Sequence, residues 1–238
     1  MTKNNVVEWI KDLNFDQKKK LYTYLCEFLT NHRIEIFEQN IKYRTRHLTV
    51  VLENVFQSHN ISAVLRSCDC FGVQDIHIIE NLHPYHINPE IAMGSSKWLS
   101  IHHHNQGMDT LVKVFDAIHQ QGYQIIATTP HPHGYDIESL NIENKTALLF
   151  GTEKDGLSEE AVRRADGYMK IPMHGFTESL NISVSAGISL YALTTRLHKM
   201  KIPWQVSEQE AIEIKIGWAA QSIKHAEHII QEFISEHL

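Results

Sequence analysis

The feature that most constrains the fold is a series of short apolar stretches that alternate with helix-length segments from Leu48 onward. The stretches rich in β-branched and aliphatic residues predict strands, and the segments between them show the apolar repeat of helices. The predicted strands are LTVVL, DIHII, Trp98–His102, QIIAT, TALLFG and YMKI. The predicted helices cover about Ile61–Phe71, Asp109–Gln120, Ser158–Ala165 and Ile182–Met200. Strands separated by helices pair in parallel with both sheet faces covered, so the sequence predicts an α/β fold.

Helical segments flank this region on both sides. An apolar repeat from Leu21 to Ile41 predicts an N-terminal helical extension over residues 1–47. The α/β domain is expected over residues 48–200. After Pro203, the spacing of Ser207 and Glu210 fits a capping box that opens one long C-terminal helix within residues 201–238. The apolar stripe of that helix must pack on its own domain or on a partner subunit, and the sequence leaves both open.

Composition and hydropathy limit the class of protein. The 238 residues suit one α/β domain with appendages, and the mean hydropathy of -0.28 fits neither a disordered chain nor a membrane protein. The longest uncharged apolar run, Thr146–Gly151, is far shorter than the roughly 18 residues of a membrane span. The N-terminal sequence reaches Glu8 and Asp12 before any stretch that resembles a signal peptide, so we expect a cytoplasmic protein.

The net charge of -6 does not by itself point to nucleic-acid binding. Any RNA contact would need a local basic patch, and one precedes the first predicted strand in Lys42, Arg44, Arg46 and His47. The three cysteines, Cys26, Cys68 and Cys70, are expected as reduced thiols.

Seventeen histidines are the only feature that suggests a metal. They include His102–His104 and the pair His131 and His133. His102 and His104 share a strand face, but no carboxylate or further histidine stands at ligand spacing, so no metal site is expected.

Three polar loops at the carboxyl ends of predicted strands form the best candidate site. They are Glu53–Asn60, which leads into a helix carrying Arg66, then Phe150–Leu157 and Ile171–Asn181. In an open parallel sheet, ligands bind beyond the carboxyl ends of the strands. No G-x-G-x-x-G follows a strand, and the Gly151–Gly156 segment lacks the lysine of a P-loop, so the common dinucleotide and phosphate fingerprints are absent.

Each polar residue of these loops also has a purely structural interpretation when it is taken alone. Asn60 could cap the helix predicted from Ile61, and Arg66 could be an ordinary solvated helical side chain. Glu153 could be a solvated loop residue, while Ser179 and Asn181 could form a cap before the next helix.

Taken in order, the segments NISAVLR (60–66), LLFGTEKDGLSEEA (148–161) and IPMHGFTESLNISVSAGISLYA (171–192) resemble the three motifs of the SpoU class of SPOUT RNA 2'-O-methyltransferases. The resemblance extends from about Leu48 to Leu197. The further segments LTVVLENV and GSSKW (94–98) make the chain most similar to the TrmH group, which methylates guanosine 18 of tRNA. The resemblance implies S-adenosylmethionine as methyl donor, tRNA as substrate, a homodimer, and a C-terminal trefoil knot that general topology rules would reject.

The resemblance also implies roles for individual positions of this chain. Those implied to be catalytic are Arg66, Glu153, Ser179 and Asn181. Those implied to contact the cofactor, chiefly through backbone groups of the knot loops, are Thr128, Gly151, Ile171 and Leu180. The expected substrate contacts are Asn60, Lys42, Arg44 and Arg46.

Two questions stay open at this stage. Arg66 could accept the proton of the ribose hydroxyl, or it could only bind a phosphate and orient the ribose. A guanidinium pKa above about 12 favours the second role. The same chemistry on ribosomal RNA and a catalytically silent RNA-binding protein are the two alternative functions.

Overall fold

The computed structural model describes residues 3–55, 57–80, 94–105, 107, 109–129 and 134–237. The chain divides into two compact units, Thr45–Trp204 and a smaller one built from residues 1–44 and 205–238. Across the described ranges, no helix has both the length and the hydropathy needed to span a membrane.

The helices of the described residues are numbered in chain order. They are α1 (Lys3–Ile10), α2 (Phe15–Cys26), α3 (Asn31–Asn40), α4 (Ser58–Cys70), α5 (Thr110–Gln120), α6 (Glu159–Arg164), α7 (Ile182–Leu197), α8 (Glu208–Ser222) and α9 (Ala226–His237).

The larger unit is built on one parallel sheet, which confirms the predicted α/β fold class. Its strands are β1 (Leu48–Glu53), β2 (Asp75–Ile79), β3 (Ser100–His104), β4 (Gln124–Thr128), β5 (Tyr135–Asp136), β6 (Thr146–Phe150) and β7 (Gly167–Lys170). They lie in the order β3-β2-β1-β6-β4-β7-β5, and every neighbouring pair is parallel. Strands β1, β2 and β6 are buried along their whole length, which is why β1 and β6 contain almost unbroken apolar runs.

Alternate residues of the central strands face two separate cores. Val50 and Leu52 point toward the helices α4 and α7, where they pack with residues such as Leu190. Val51 and Leu149 point the other way and pack with residues of α5 and α6. This period of two places one helical layer on each face of the sheet and leaves the carboxyl ends of the strands free to carry loops.

Several local features of this unit differ from the predictions. Strand β3 covers Ser100–His104, whereas the sequence predicts Trp98–His102. Helix α4 begins at Ser58 with Gln57 at the cap position, so Asn60 stands inside the first turn and is not the cap. Strand β5 was not predicted because it has only two residues, both exposed, and so leaves no apolar pattern.

The C-terminal segment is not the single long helix that the apolar stripe predicts. The capping box of Ser207 and Glu210 opens α8 as expected, but this helix ends at Ser222. Ile223 is extended and His225 adopts a left-handed conformation with φ of 57°, after which α9 begins. The break contains neither glycine nor proline, so it left no signal in the sequence.

Candidate active site

The loops that follow β4, β6 and β7 enclose a cavity of about 340 Å³. Its walls include Thr128 and Thr129, the whole loop Gly151–Leu157, and residues of the segment that follows β7. This volume lies within the range of small-molecule sites. The four residues that match cofactor positions of the family all line it: Thr128, Gly151, Ile171 and Leu180.

The loop Gly151–Leu157 folds back tightly on itself. Thr152 and Gly156 exchange two backbone hydrogen bonds of 2.8 and 3.1 Å, and Gly156 has a φ of +71°. A Cβ on Gly151 would lie 2.2 Å from the carbonyl carbon and oxygen of Gly156. Glycine is therefore required at position 151 for the loop to have this shape.

Apolar and acidic side chains share the cavity wall. Met169, Ile171 and Leu180 provide apolar surface, whereas Glu153 and Asp155 provide negative charge. Lys154 lines the same wall, and because the two acidic residues outnumber it, the arrangement suits a ligand that combines an apolar group with positive charge.

A chain of side-chain hydrogen bonds next to the cavity joins the three candidate loops that the sequence predicts. The Asn60 amide nitrogen donates to Glu153 Oε1 at 2.5 Å and to Gln57 Oε1 at 3.2 Å. The Asn181 amide nitrogen donates to Asn60 Oδ1 at 3.1 Å. Asn181 also caps α7, because its Oδ1 accepts from the backbone nitrogen of Ser183 at 2.8 Å. Asn60 is buried, so its amide is held between Glu153 and Asn181.

The other two predicted catalytic residues occupy different surroundings. Ser179 is exposed and lines the cavity beside Leu180. Arg66 is an exposed residue on α4, and within the described part of the chain its guanidinium makes no hydrogen bond or ion pair. It is not among the described residues that form the cavity wall. The structure thus gathers Asn60, Glu153, Ser179 and Asn181 at one place and leaves Arg66 presented to solvent.

The residues of the predicted basic patch have different surroundings. Lys42 is exposed, but Arg44 is only 4% exposed, and its guanidinium lies 5.2 Å from the ring centre of Trp218. Arg46 donates through Nε to Asp75 Oδ2 at 2.7 Å. The Arg44 guanidinium thus packs against an indole ring, in surroundings unlike those of the exposed Lys42. A phosphate contact by Arg44 stays a prediction. Charge clustering in the sequence cannot distinguish these two environments.

The sequence places Glu53 first in the polar loop Glu53–Asn60 but does not predict that its carboxylate is buried next to the cavity loop. Glu53 ends β1 and is 3% exposed, and its carboxylate accepts from Ser158 at the end of the loop. The available signal was a single acidic residue at the end of an otherwise apolar strand.

Three of the histidines form a stack at the β2–β3 side of the sheet. The ring of His77 stacks on His102 and His104 at centroid distances of 4.7 and 5.3 Å. Burial lowers the pKa of His77 to about 3 and that of His104 to about 4. Burial alone would raise the pKa of Asp75, but a hydrogen bond from His102 and the charge of Arg46 outweigh it and lower that pKa.

No group of three or more histidine, cysteine or acidic side chains is arranged to hold a metal ion among the described residues. His131 and His133, also noted in the sequence, lie outside the described residues.

Comparison with known proteins identifies the family. Residues 47–191 match the model of the SpoU rRNA Methylase family. The chain belongs to this family. It is 37% identical over 214 residues to the tRNA (guanosine(18)-2'-O)-methyltransferase of Borreliella burgdorferi, an alignment that covers 90% of this chain and 96% of that relative.

Solved structures of SpoU proteins share the fold. The TrmH/SpoU tRNA modifying enzyme of Aquifex aeolicus has a TM-score of 0.71 at 30% identity, covering 81% of this chain and 98% of that one. The SpoU methyltransferase AviRb from Streptomyces viridochromogenes, crystallised with the cofactor AdoMet, has a TM-score of 0.57 at 22% identity and covers 68% and 62% of the two chains. In the present chain, residues 47–191, which match the SpoU family model, include all of the predicted catalytic and cofactor residues.

Proposed function

We propose that this SpoU family protein is a cytoplasmic, S-adenosylmethionine-dependent methyltransferase that modifies the ribose 2'-hydroxyl of guanosine 18 in tRNA. The observation that carries the proposal is the cavity at the carboxyl ends of β4, β6 and β7, where Asn60 and Asn181 hold Glu153 at the wall. The relative that matches 90% of the chain is named for this activity.

The residues of the cavity fit the proposed methyl donor. Apolar side chains such as Met169 and Ile171 suit an adenine ring, and the loop backbone suits its polar edge. The carboxylates of Glu153 and Asp155 suit a positively charged ligand. When bound, S-adenosylmethionine supplies a methyl group activated by a positively charged sulfur.

The protein's own task is to hold the ribose and its neighbouring phosphate. The exposed guanidinium of Arg66 offers a planar fork of donors to a phosphate. We therefore assign Arg66 to phosphate binding and electrostatic activation of the hydroxyl, and not to proton acceptance. Ser179 can donate a hydrogen bond to the ribose from the cavity wall, while Asn60 keeps the Glu153 carboxylate in a fixed orientation.

Methyl transfer to defined RNAs tests this proposal. An unmodified tRNA transcript with labelled donor should accept one methyl group, and the same tRNA with 2'-deoxyguanosine at position 18 should accept none. Methylation of ribosomal RNA but not of tRNA would replace the proposed substrate. Donor binding without transfer to either RNA would instead identify a silent RNA-binding protein.

The family resemblance further leads us to propose a trefoil knot in the C-terminal part of the larger unit. Two observations support it: β6 lies between β1 and β4, and the segment after β7 lines the same cavity as the loops after β4 and β6 before α7 packs against α4. An experimental density map traced from β4 through α7 tests the threading.

We also propose that the protein is a homodimer that uses the exposed face of α7. Val184, Ile188 and Tyr191 recur at helical spacing and are 47%, 39% and 61% exposed. An exposed apolar stripe of this kind is typical of an interface. Ile188→Glu should yield monomers in sedimentation velocity, whereas Lys199→Glu, an exposed substitution after the end of the helix, should leave the dimer intact.

A further inference from the structure

The carboxylate of Glu53 is buried at the point where β1 ends beside the cavity loop. All six residues of β1 are buried, and Glu53 is only 3% exposed. Its side chain follows Val51 onto the sheet face that packs against α5 and α6. Burial of a carboxylate costs free energy unless hydrogen-bond donors replace the lost water contacts. The donors that bind Glu53 therefore indicate its role.

Among the described residues, both hydrogen bonds to this carboxylate come from Ser158. Ser158 donates its backbone nitrogen to Glu53 Oε2 at 2.9 Å and its hydroxyl to Glu53 Oε1 at 2.5 Å. The Ser158 hydroxyl at the same time accepts from the backbone nitrogen of Ala161 and so caps α6. Glu53 is thereby tied to the first residue after the loop Gly151–Leu157.

The loop is held at both of its ends. At its start, Phe150 lies in the sheet opposite Leu52, one residue before Glu53. At its end, Ser158 is held by the Glu53 carboxylate. All seven residues between these anchor points line the cavity, and one of them is Glu153. The ends of two adjacent strands therefore determine the shape of one cavity wall.

We propose that Glu53 is a positioning residue for the methyl-donor cavity, which acts through Ser158 to keep the loop Gly151–Leu157 closed against its ligand. The inference rests on the proposed function, because the ligand is the methyl donor. Glu53 does not line the cavity, so its effect on binding must pass through the loop.

Two substitutions test the link from both sides. Glu53→Gln keeps the shape of the side chain but replaces one acceptor oxygen by an NH₂ donor. One of the two Ser158 donors then faces another donor and loses its hydrogen bond. Ser158→Gly removes the hydroxyl and costs only a few tenths of a kcal/mol of capping energy. Ser207→Gly is the matched control, because Ser207 caps α8 in the other unit with the same geometry.

The main readout is the affinity for S-adenosylhomocysteine, measured by calorimetry without RNA, together with the thermal midpoint of each variant. Both Glu53→Gln and Ser158→Gly should bind about tenfold more weakly, as expected for the loss of one hydrogen bond to a charged group. The double variant should be no weaker than the worse single one, because both changes break the same link. Ser207→Gly should bind within twofold of the unaltered protein.

The possible failures are distinguishable. Equal affinity in the unaltered protein and in folded Ser158→Gly would overturn the role of Glu53, even if the thermal midpoint fell. Additive losses in the double variant would also overturn it, because Glu53 would then act independently of Ser158. Failure of the unaltered protein to bind S-adenosylhomocysteine would instead defeat the proposed function itself. If Glu53→Gln does not fold, Ser158→Gly alone decides the question.

Discussion

The amide nitrogen of Asn60 lies 2.5 Å from the carboxylate of Glu153, although one residue stands in the first turn of α4 and the other in the loop after β6. The same Asn60 side chain accepts a hydrogen bond from Asn181, which begins α7. The position of the carboxylate therefore depends on two other segments. A change in any of the three should affect the site as a whole.

Substitution of Asn60 should reduce methyl transfer without unfolding the protein. Asn60→Ala removes the donor to Glu153 and the acceptor for Asn181, so we expect kcat/KM to fall by about 10- to 100-fold. Gln57→Ala is the control, since it removes only the 3.2 Å contact on the exposed side of Asn60. Equal losses in the two variants would show that the start of α4 matters and the hydrogen-bond chain does not.

Gly151→Ala should disrupt the cavity. The new Cβ would collide with the Gly156 carbonyl, so the loop must open and S-adenosylhomocysteine binding should weaken by more than about tenfold. Gly217→Ala is a matched control within α8, where a Cβ meets nothing within 4 Å and should raise helix stability slightly. Calorimetry and thermal unfolding of both variants check this prediction, which unchanged affinity in Gly151→Ala contradicts.

The role proposed for Arg66, phosphate binding, predicts different kinetics from proton acceptance. Arg66→Lys keeps the positive charge but loses the bidentate fork, so phosphate binding alone predicts a raised KM for tRNA with measurable turnover. Arg66→Ala should be far slower. Steady-state kinetics with the tRNA transcript separate these cases. Loss of turnover as complete in the lysine variant as in the alanine variant would count against a simple charge role.

Lys42 and Arg44 should respond differently to removal of their charge. Lys42→Ala removes an exposed cation and should weaken RNA binding, with a salt-dependence slope lower by about 1. Arg44→Ala removes a buried side chain packed on Trp218 and should chiefly lower the thermal midpoint. Binding titrations at several salt concentrations test the first expectation. An Arg44→Ala variant with normal stability and a reduced slope would show that Arg44 reaches RNA after all.

Acid should destabilise the fold through the histidine stack. Burial, followed by the neighbouring His102 and His104, lowers the pKa of His77 to about 3, while Asp75 opposes this shift. Burial, followed by the neighbouring His102 and His103, lowers the pKa of His104 to about 4. Between those values and the unfolded pKa of about 6.5, the unfolded chain binds more protons. As the pH is lowered through this window, the free energy of unfolding should therefore decrease, by up to about 1.4 kcal/mol per pH unit for each group.

Denaturant titrations of His77→Phe check this expectation. The substituted ring cannot take up a proton, so stability should decline less steeply between pH 6.5 and 4 than in the unaltered protein. His32→Gln, an exposed histidine in α3, is the control and should follow the original profile. A decline of unchanged steepness in His77→Phe would assign the acid sensitivity to other groups.

The strands and most helices could be predicted because burial dictates their patterns. Leu48–Glu53 and Thr146–Phe150 are apolar runs because both sheet faces are covered, and Ser207 and Glu210 form a capping box of purely local origin. The strand order could not be predicted, since the pairing of Leu48 with Thr146 depends on contacts far apart in the chain. The break after Ser222 was also invisible, because the apolar stripe continues across it.

The sequence motifs predicted which segments lie near one another at the site, but not the contacts between their side chains. The residues around the cavity were expected from the ordered segments at Asn60, Glu153 and Asn181. Their mutual hydrogen bonds depend on rotamers that no sequence pattern encodes. The burial of Arg44 could not be predicted, because a cluster of basic residues in a sequence does not indicate burial. The bond between Glu53 and Ser158 could not be predicted either, because the two residues lie far apart in the sequence.

The place of β6 between β1 and β4 has a consequence for synthesis on the ribosome. β1 cannot acquire its second neighbour until β6 has emerged, so the nascent chain exposes an apolar strand edge while residues 54–145 are synthesised. Pairings between such distant segments form slowly, and an uncovered edge invites association with other chains. Protection by chaperones during translation should therefore matter more for this protein than for an α/β protein whose strands pair in the order of their synthesis.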